Sequence, residues 1–238
     1  MRSSRWHAHG NVYLVLEGSA AGVDLSGTDG AVEVLSVEGD DVTVAIVNPD
    51  GSHAEMSGNG TRIAAAWLMT RTGSASARVH VGARTVAVRR TDEGLYESEL
   101  GHVEVGPTEV VDGIELTPVS VGNPHAVVVG DPIRITELGP RLETHPRFPE
   151  RTNVQVARVE RPGEVVARVW ERGVGETSAS GSSAVAVAAA THREGEVVVH
   201  FPGGDLRVRL AGGEAWLTGP AEPLPELPDT VRQGGTER

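Results

Sequence analysis

The chain has 238 residues and a net charge of −12, with 39% hydrophobic and 23% charged residues. That composition excludes a disordered chain and is enough to bury a core in one large domain or two small ones. The acidic balance argues against a nucleic-acid partner, and the longest apolar runs, seven residues each at 63–69 and 184–190, are far too short to span a membrane.

Taken in chain order, the N-terminal MRSSRWHAHGN lacks the apolar stretch of a signal peptide, so a cytoplasmic address is expected. Short β-branched segments punctuated by Gly and Pro predict strands over 12–16, 42–47, 78–81, 86–90, 119–121, 126–129, 165–170, 197–201 and 206–210. One helix is expected over about 61–70, after Gly58-Asn59-Gly60. A second is expected after Ser180-Gly181-Ser182, running to about Thr191, and a third, shorter one near 135–142. The C-terminus is Pro-rich and then polar, as in a frayed end.

The two main helices belong to a longer repetition. Gly10-Asn11 and Gly122-Asn123 each lead into an apolar strand. Asn48 precedes Ser57 by the same interval as Glu171 precedes Ser180. Each Ser opens a Ser-Gly turn followed by an Ala-rich run, SGNGTRIAAAW and SGSSAVAVAAA. Four features recurring in order indicate a duplicated β-rich unit wrapped around one helix. The expected division is a first lobe over 1–113, a second over 114–222, and a tail over 223–238 that partly returns to the first lobe or frays.

Two absences narrow the chemistry. Without Lys there is no Schiff base and no Walker lysine; without Cys there is no disulfide, thiolate metal site or thiol nucleophile. Carboxylates, His, Arg, hydroxyls and backbone dipoles remain. A Gly-rich turn at a helix start exposes amides that have no intrahelical acceptor, and the helix dipole makes the turn an anion site without a basic side chain. Two such turns facing each other would hold one carboxylate and put a polar group on each face of its α-carbon, which suits inversion of a stereocentre. Taken alone, Ser57 and Ser180 read as ordinary N-caps. The segment Glu171-Arg172-Gly173-Val174-Gly175 adds an acid and a guanidinium suited to an ammonium and a carboxylate together. Asn11, Asn48, Asn123 and Asn153 sit beside Gly or Pro or in loops at strand ends, where amides can hydrogen-bond a zwitterion; His125 is either a base or a structural histidine. His7-x-His9 lacks a third ligand at metal spacing, and no metal or cofactor is expected.

Phrases across nearly the whole chain resemble diaminopimelate epimerase: HGNVYLVLE, TDG, VNPDGSHAEMSGNGTR, VGNPHAVV, LGPRLETHPRFPERTN, ERGVGETSASGSS, FPGG and LTGPAE. The patterns NxDGSxAEMxGNGxR and ERGxGET are specific to that family and its close relatives. The resemblance implies an α+β fold of two pseudo-symmetric lobes, each a β-barrel-like sheet around a central helix, with the site in the cleft between them. It implies a diamino dicarboxylate partner, with neither nucleic acid nor membrane, and leaves a homodimer open. It places the distal carboxylate on Arg172 with Asn48, Asn123 and Asn153, the distal ammonium on Glu171, and Asn11 along the cleft. The reacting carboxylate would lie on the amides of Gly58, Asn59, Gly181 and Ser182. His125 and Glu171 would assist proton removal by the two catalytic groups.

Those two groups are cysteines in the family and serines here, Ser57 and Ser180. A serine hydroxyl is a far weaker acid than a thiol and needs an activating partner. Impaired epimerisation of LL-diaminopimelate to the meso form is therefore expected, in a deliberately inactivated sequence or a natural variant. Two other readings remain: a binding protein that performs no chemistry, and another isomerase on the same scaffold.

Overall fold

The computed structural model describes residues 2–54 and 57–225. Its first round of elements is β1 (Ser3–Ala8), β2 (Asn11–Leu16), β3 (Gly30–Glu38), β4 (Asp41–Val47), β5 (His53–Ala54), α1 (Gly58–Thr72), β6 (Ser76–Val81), β7 (Arg84–Arg90) and β8 (Tyr96–His102). Short strands β9 (Glu104–Val105) and β10 (Glu109–Val111) follow. The second round is β11 (Ile114–Ser120), β12 (Pro124–Val129), α2 (Ile135–Glu143), β13 (Asn153–Arg161), β14 (Glu164–Glu171), β15 (Gly175–Thr177), α3 (Gly181–Thr191), β16 (Gly195–Phe201), β17 (Gly204–Ala211) and β18 (Glu214–Gly219), closed by β19 (Glu222–Pro223).

The strand pairing repeats. In each round the first hairpin is antiparallel, the next pair parallel, the next antiparallel, and the strand after the central helix lies parallel to the strand before the helix. A single offset carries Gly30 to Asn153, Asp41 to Glu164 and Ser57 to Ser180. The last strands of the two rounds, β8 and β18, pair with each other antiparallel, as a twofold relation requires. The strand after each round crosses to the other: β9 pairs with β11, and β19 pairs with β1. Leu224 extends that return, its amide donating a hydrogen bond of 2.7 Å to Arg5 O, while residues 226–238 of the expected tail lie outside the described residues.

Both long helices are buried from all sides. Ala64, Ala65 and Ala66 of α1 and Val185, Ala186 and Val187 of α3 are fully covered, in one apolar cluster that spans both rounds. A helix inside a closed sheet has no polar face to turn outward, and small side chains let strands approach from every direction. Ser57 caps α1 by accepting the Gly60 amide, and Gly73 ends it in the left-handed region at φ 75°. The rounds differ between their second and third strands. There the second inserts α2, with Ile135, Leu138 and Leu142 over a second cluster, and the first has a loop covering a small cluster with Leu25.

Both main helices begin earlier than the sequence indicates, at Gly58 and Gly181. The expected strand over 119–121 is the end of β11, which stops at Ser120. Strands β1, β3, β8, β13 and β18, with the short β5, β9, β10, β15 and β19, add to those expected.

Enlarging a central-helix residue should overpack the barrel. Ala186→Leu is expected to cost about 1–3 kcal/mol in urea unfolding. Ala190→Leu, at a half-buried position near the end of α3, should stay within about 0.5 kcal/mol. Equal losses would mean that α3 is not the packed centre of its barrel.

Candidate active site

The two Ala-rich helices meet at their N-termini. A Cβ placed on Gly58 would lie 3.5 Å from the Cα of Gly181, and one on Gly181 would lie 3.6 Å from the Cα of Gly58. It would also lie 2.7 Å from Leu217 Cδ2. The amides of Gly58, Asn59, Gly181 and Ser182 belong to these first turns, where no intrahelical acceptor exists. Two positive dipole ends abutting repel each other, and an anion between them relieves the repulsion. Ser57 and Ser180 immediately precede the two contacting glycines, so both residues flank the meeting point.

The serines are partnered differently. Ser57 Oγ accepts the Gly60 amide at 3.1 Å and lies 3.1 Å from the phenolic oxygen of buried Tyr13. Ser180, 6% exposed, makes no cap bond, and its hydroxyl acts on the Glu171 carboxylate. Thr177 Oγ1 donates to Glu171 Oε1 at 2.5 Å. Burial pushes the Glu171 pKa above the usual carboxylate range; the Thr177 and Ser180 hydroxyls pull it down, and the charge of Asp29 adds to the rise.

The four asparagines tie the surroundings together. Asn11, from the first round, donates to Ala179 O at 3.2 Å and accepts from Ser178 Oγ at 3.3 Å, bridging to the loop before Ser180. Asn48, in the loop after β4, donates to Ser52 Oγ at 3.0 Å. Asn123 reaches toward Ser182 Oγ at 3.5 Å and pairs its carbonyl with His125 Nε2 at 2.9 Å. Asn153 donates to Pro124 O at 3.0 Å and accepts the Arg172 amide at 3.0 Å. His125 is buried, and Gln155 Nε2 donates to its Nδ1 at 3.0 Å, so the ring is neutral with its proton on Nε2. Burial drives its pKa down to about 3, with Gln155 opposing and Arg172 adding to the fall.

Four residues that the sequence reading passed over hold the site in shape. Glu143, at the end of α2, takes the Gly173 amide at 2.6 Å and Trp170 Nε1 at 2.8 Å and pairs with Arg151, fixing the Glu171-Arg172-Gly173 turn. Burial opposes its charge, but those donors hold its pKa below the usual value. Arg172 adds a bond from Nη1 to Glu150 O at 3.0 Å. Arg62, fully buried one turn into α1, donates to Asn59 Oδ1 at 2.7 Å and Pro220 O at 2.9 Å, with no carboxylate partner among the described residues. Gln155 links His125 to Ser183 at 2.9 Å, and Tyr13 touches Ser57. Only the Arg of SGNGTR and the Glu of LGPRLETHPRFPERTN stood in the quoted phrases with a charge to draw attention. Among the described residues no group of three His, Asp or Glu is placed to hold a metal ion.

The sequence profile named Diaminopimelate epimerase matches residues 117–223. The chain is 38% identical over 227 residues to the diaminopimelate epimerase of Desulforudis audaxviator (strain MP104C), covering 82% of each. It is 37% identical to that of Pelotomaculum thermopropionicum, covering 82% of this chain and 81% of the relative. Among solved structures, a PhzF-family phenazine biosynthesis protein from Bacillus anthracis superposes with a TM-score of 0.71 at 14% identity, over 94% of this chain and 98% of that one. A hydroxyproline epimerase from Agrobacterium vitis, with bound trans-4-hydroxy-L-proline, gives 0.65 at 14%, over 93% and 88%. At these identities the structural likeness carries the fold alone.

His125 makes stability pH-dependent. Its folded pKa, about 3, lies below the unfolded value of 6.5, so the unfolded chain binds the proton more tightly. The stability it contributes is complete above about pH 6.5 and is lost as pH falls toward 3. His9, lowered to about 4 mainly by burial, acts in the same sense, whereas ionisation of Glu171 costs stability as pH rises through its elevated range. His125→Gln should therefore flatten the loss between these limits in urea-unfolding series; an unchanged slope would show that the imidazole is already protonated in the fold.

Proposed function

Because the chain belongs to the diaminopimelate epimerase family of pyridoxal-independent amino-acid epimerases, we propose that its cleft takes LL-diaminopimelate and inverts one α-carbon to give the meso form. The observation that carries this reading is the abutting of two serine-preceded helix N-termini at Gly58 and Gly181. A carboxylate held on the first-turn amides is stabilised further when its α-carbon loses a proton, because the added charge develops where the dipoles already point. Ser57 on one face and Ser180 on the other would each handle one proton, with Glu171 drawing the proton through Ser180.

The distal end of a diamino dicarboxylate carries a second ammonium and carboxylate. Arg172 suits that carboxylate, joined by Asn48, Asn123 and Asn153, and Glu171 suits the ammonium. Asn11 lines the cleft from the first lobe, and His125 fixes the orientation of Asn123 through its Nε2–H. In this reading the surroundings of the substrate need no cofactor.

Hydroxyls in both proton-handling positions set the rate. A thiol near pKa 8.5 is readily driven to thiolate at a helix N-terminus, whereas helix dipoles contribute only about 0.3–1 kcal/mol each, up to ~2 when partly buried. The reaction is therefore slow. The same observation favours a second reading, capture of the substrate without chemistry.

Arg172→Ala should weaken diaminopimelate binding by roughly 2–5 kcal/mol in calorimetry, since it leaves the distal carboxylate unpaired, and Ser57→Ala should weaken it far less. The paired Ser57→Cys and Ser180→Cys variant should raise turnover by orders of magnitude at little change in affinity. Equal binding losses would place Arg172 outside the site, and rapid epimerisation by the unsubstituted chain would sink the slow-hydroxyl account.

A further inference from the structure

We propose that Tyr13 is the positioning and proton-relay partner of Ser57, exchanging a proton with its hydroxyl across their direct contact as Glu171 does with Ser180. This rests on reading the cleft as an epimerase site and adds to it a group that neither motif contains.

The first support is position. Tyr13 faces the interior of the first barrel, buried in the cluster around α1, and its hydroxyl reaches Ser57 Oγ at 3.1 Å. The pairing register puts Tyr13 opposite Gly30 in β3 and His125 opposite Asn153 in β13, and Gly30 and Asn153 are equivalent in the two rounds. Tyr13 is thus the counterpart of His125: one site beside each helix start holds an acid–base side chain in both lobes. The bare Gly30 makes room for the phenol, since a Cβ there would lie 3.1 Å from Tyr13 Cε1 and 2.4 Å from Val47 O.

The second support is hydrogen-bond capacity. Ser57 Oγ already accepts the Gly60 amide. When Tyr13 donates to it as well, the serine proton is free to point at the substrate, and Ser57 becomes a donor. When Ser57 donates to a phenolate, a lone pair on Oγ is free, and Ser57 becomes an acceptor. One contact therefore serves both directions of an epimerisation.

The charges around Tyr13 set the resting state. Burial raises the phenol's pKa, as do the charges of Glu171 and Asp29, and the Ser57 bond and the Arg62 guanidinium lower it. Tyr13 rests protonated, making the Ser57 face the donor, and Glu171 rests as the acceptor behind Ser180. In one turnover the α-C–H bond breaks and its electron pair stays on the carbon and carboxylate. The proton goes to Ser180 Oγ as Ser180 passes its own to Glu171. On the opposite face Ser57 Oγ gives its proton to the carbon and takes the one from Tyr13. Tyr13 ends as a phenolate near the buried Arg62 cation, Glu171 ends protonated, and exchange with water resets both.

The test follows α-deuterium incorporation into diaminopimelate in deuterated water by mass spectrometry, for the unsubstituted chain, Tyr13→Phe and Tyr13→His, between about pH 6 and 10. The unsubstituted chain should exchange slowly. Tyr13→Phe should lose about a hundredfold, the lower end for a positioned acid–base group, at unchanged affinity and thermal midpoint, and Tyr13→His should recover part of the rate with a profile shifted to lower pH. Equal exchange by Tyr13→Phe, or none from the unsubstituted chain while it binds diaminopimelate, overturns the relay. A second measurement needs no substrate: in Ser57→Cys, the pH midpoint of iodoacetamide alkylation should rise by about one unit when Tyr13→Phe is added. An unmoved midpoint overturns the relay. Failure of diaminopimelate to bind removes the substrate reading alone, and the alkylation midpoint then decides the relay.

Discussion

Two glycines back to back set the terms for the rest of the molecule. The two helix starts come together at Gly58 and Gly181, where a Cβ on either would sit 3.5–3.6 Å from the other's Cα, and one on Gly181 would press on Leu217 Cδ2 at 2.7 Å. Two helices that meet end to end cannot also lie on a surface, so each runs inward and is enclosed by strands. Enclosure in turn demands the small, apolar sequences IAAAW and AVAVAA, covered on every side. The amides left over at the meeting point have nowhere to turn but toward each other, which makes electrostatics at the twofold centre a consequence of packing.

The frame is symmetric and its chemistry is not. Equivalent positions hold Tyr13 and His125, Gly30 and Asn153, Asn48 and Glu171. The last pair places a carboxylate behind Ser180 and a neutral amide in the loop before Ser57. An epimerase must tell two faces of one carbon apart while binding the rest of the substrate in a single orientation. A duplicated scaffold whose copies diverge at the contact residues suits both needs, since the barrels hold position and the substitutions make the two faces unlike.

Much of this was legible in the residues. The Ser-Gly turns, the Ala-rich runs and the matched intervals announce duplication because backbone requirements at a helix start are strict and local. Strands were harder. β1, SSRWHA, has only Trp6 and Ala8 fully buried and reads as polar, and β8, YESELGH, alternates Tyr96, Ser98 and Leu100 inward with charge outward. β13 buries five consecutive residues, including Gln155, so neither face follows the period of two. Tyr13 could not be found from its neighbours, because VYLVL is a plain apolar strand and the contact with Ser57 is made across the fold. Arg62 and Glu143 stood within recognisable phrases, but a cation with no carboxylate among the described residues and an acid that collects an amide, an indole N–H and a guanidinium are defined by tertiary partners.

The crossing strands bear on how such a chain comes to be folded at all. The sheet of each round is finished by a strand borrowed from the other: β9 lies on β11, β19 lies on β1, and β8 is joined to β18 along six paired positions. The first half emerging from a ribosome does not meet its missing edge until residues near position 222 have been made. The first half therefore waits with an open strand edge, the kind of surface that recruits other chains. Contacts of such long sequence separation also slow the search for the native arrangement. The two rounds are interlocked by their edges, so the order of synthesis and the order of assembly do not coincide.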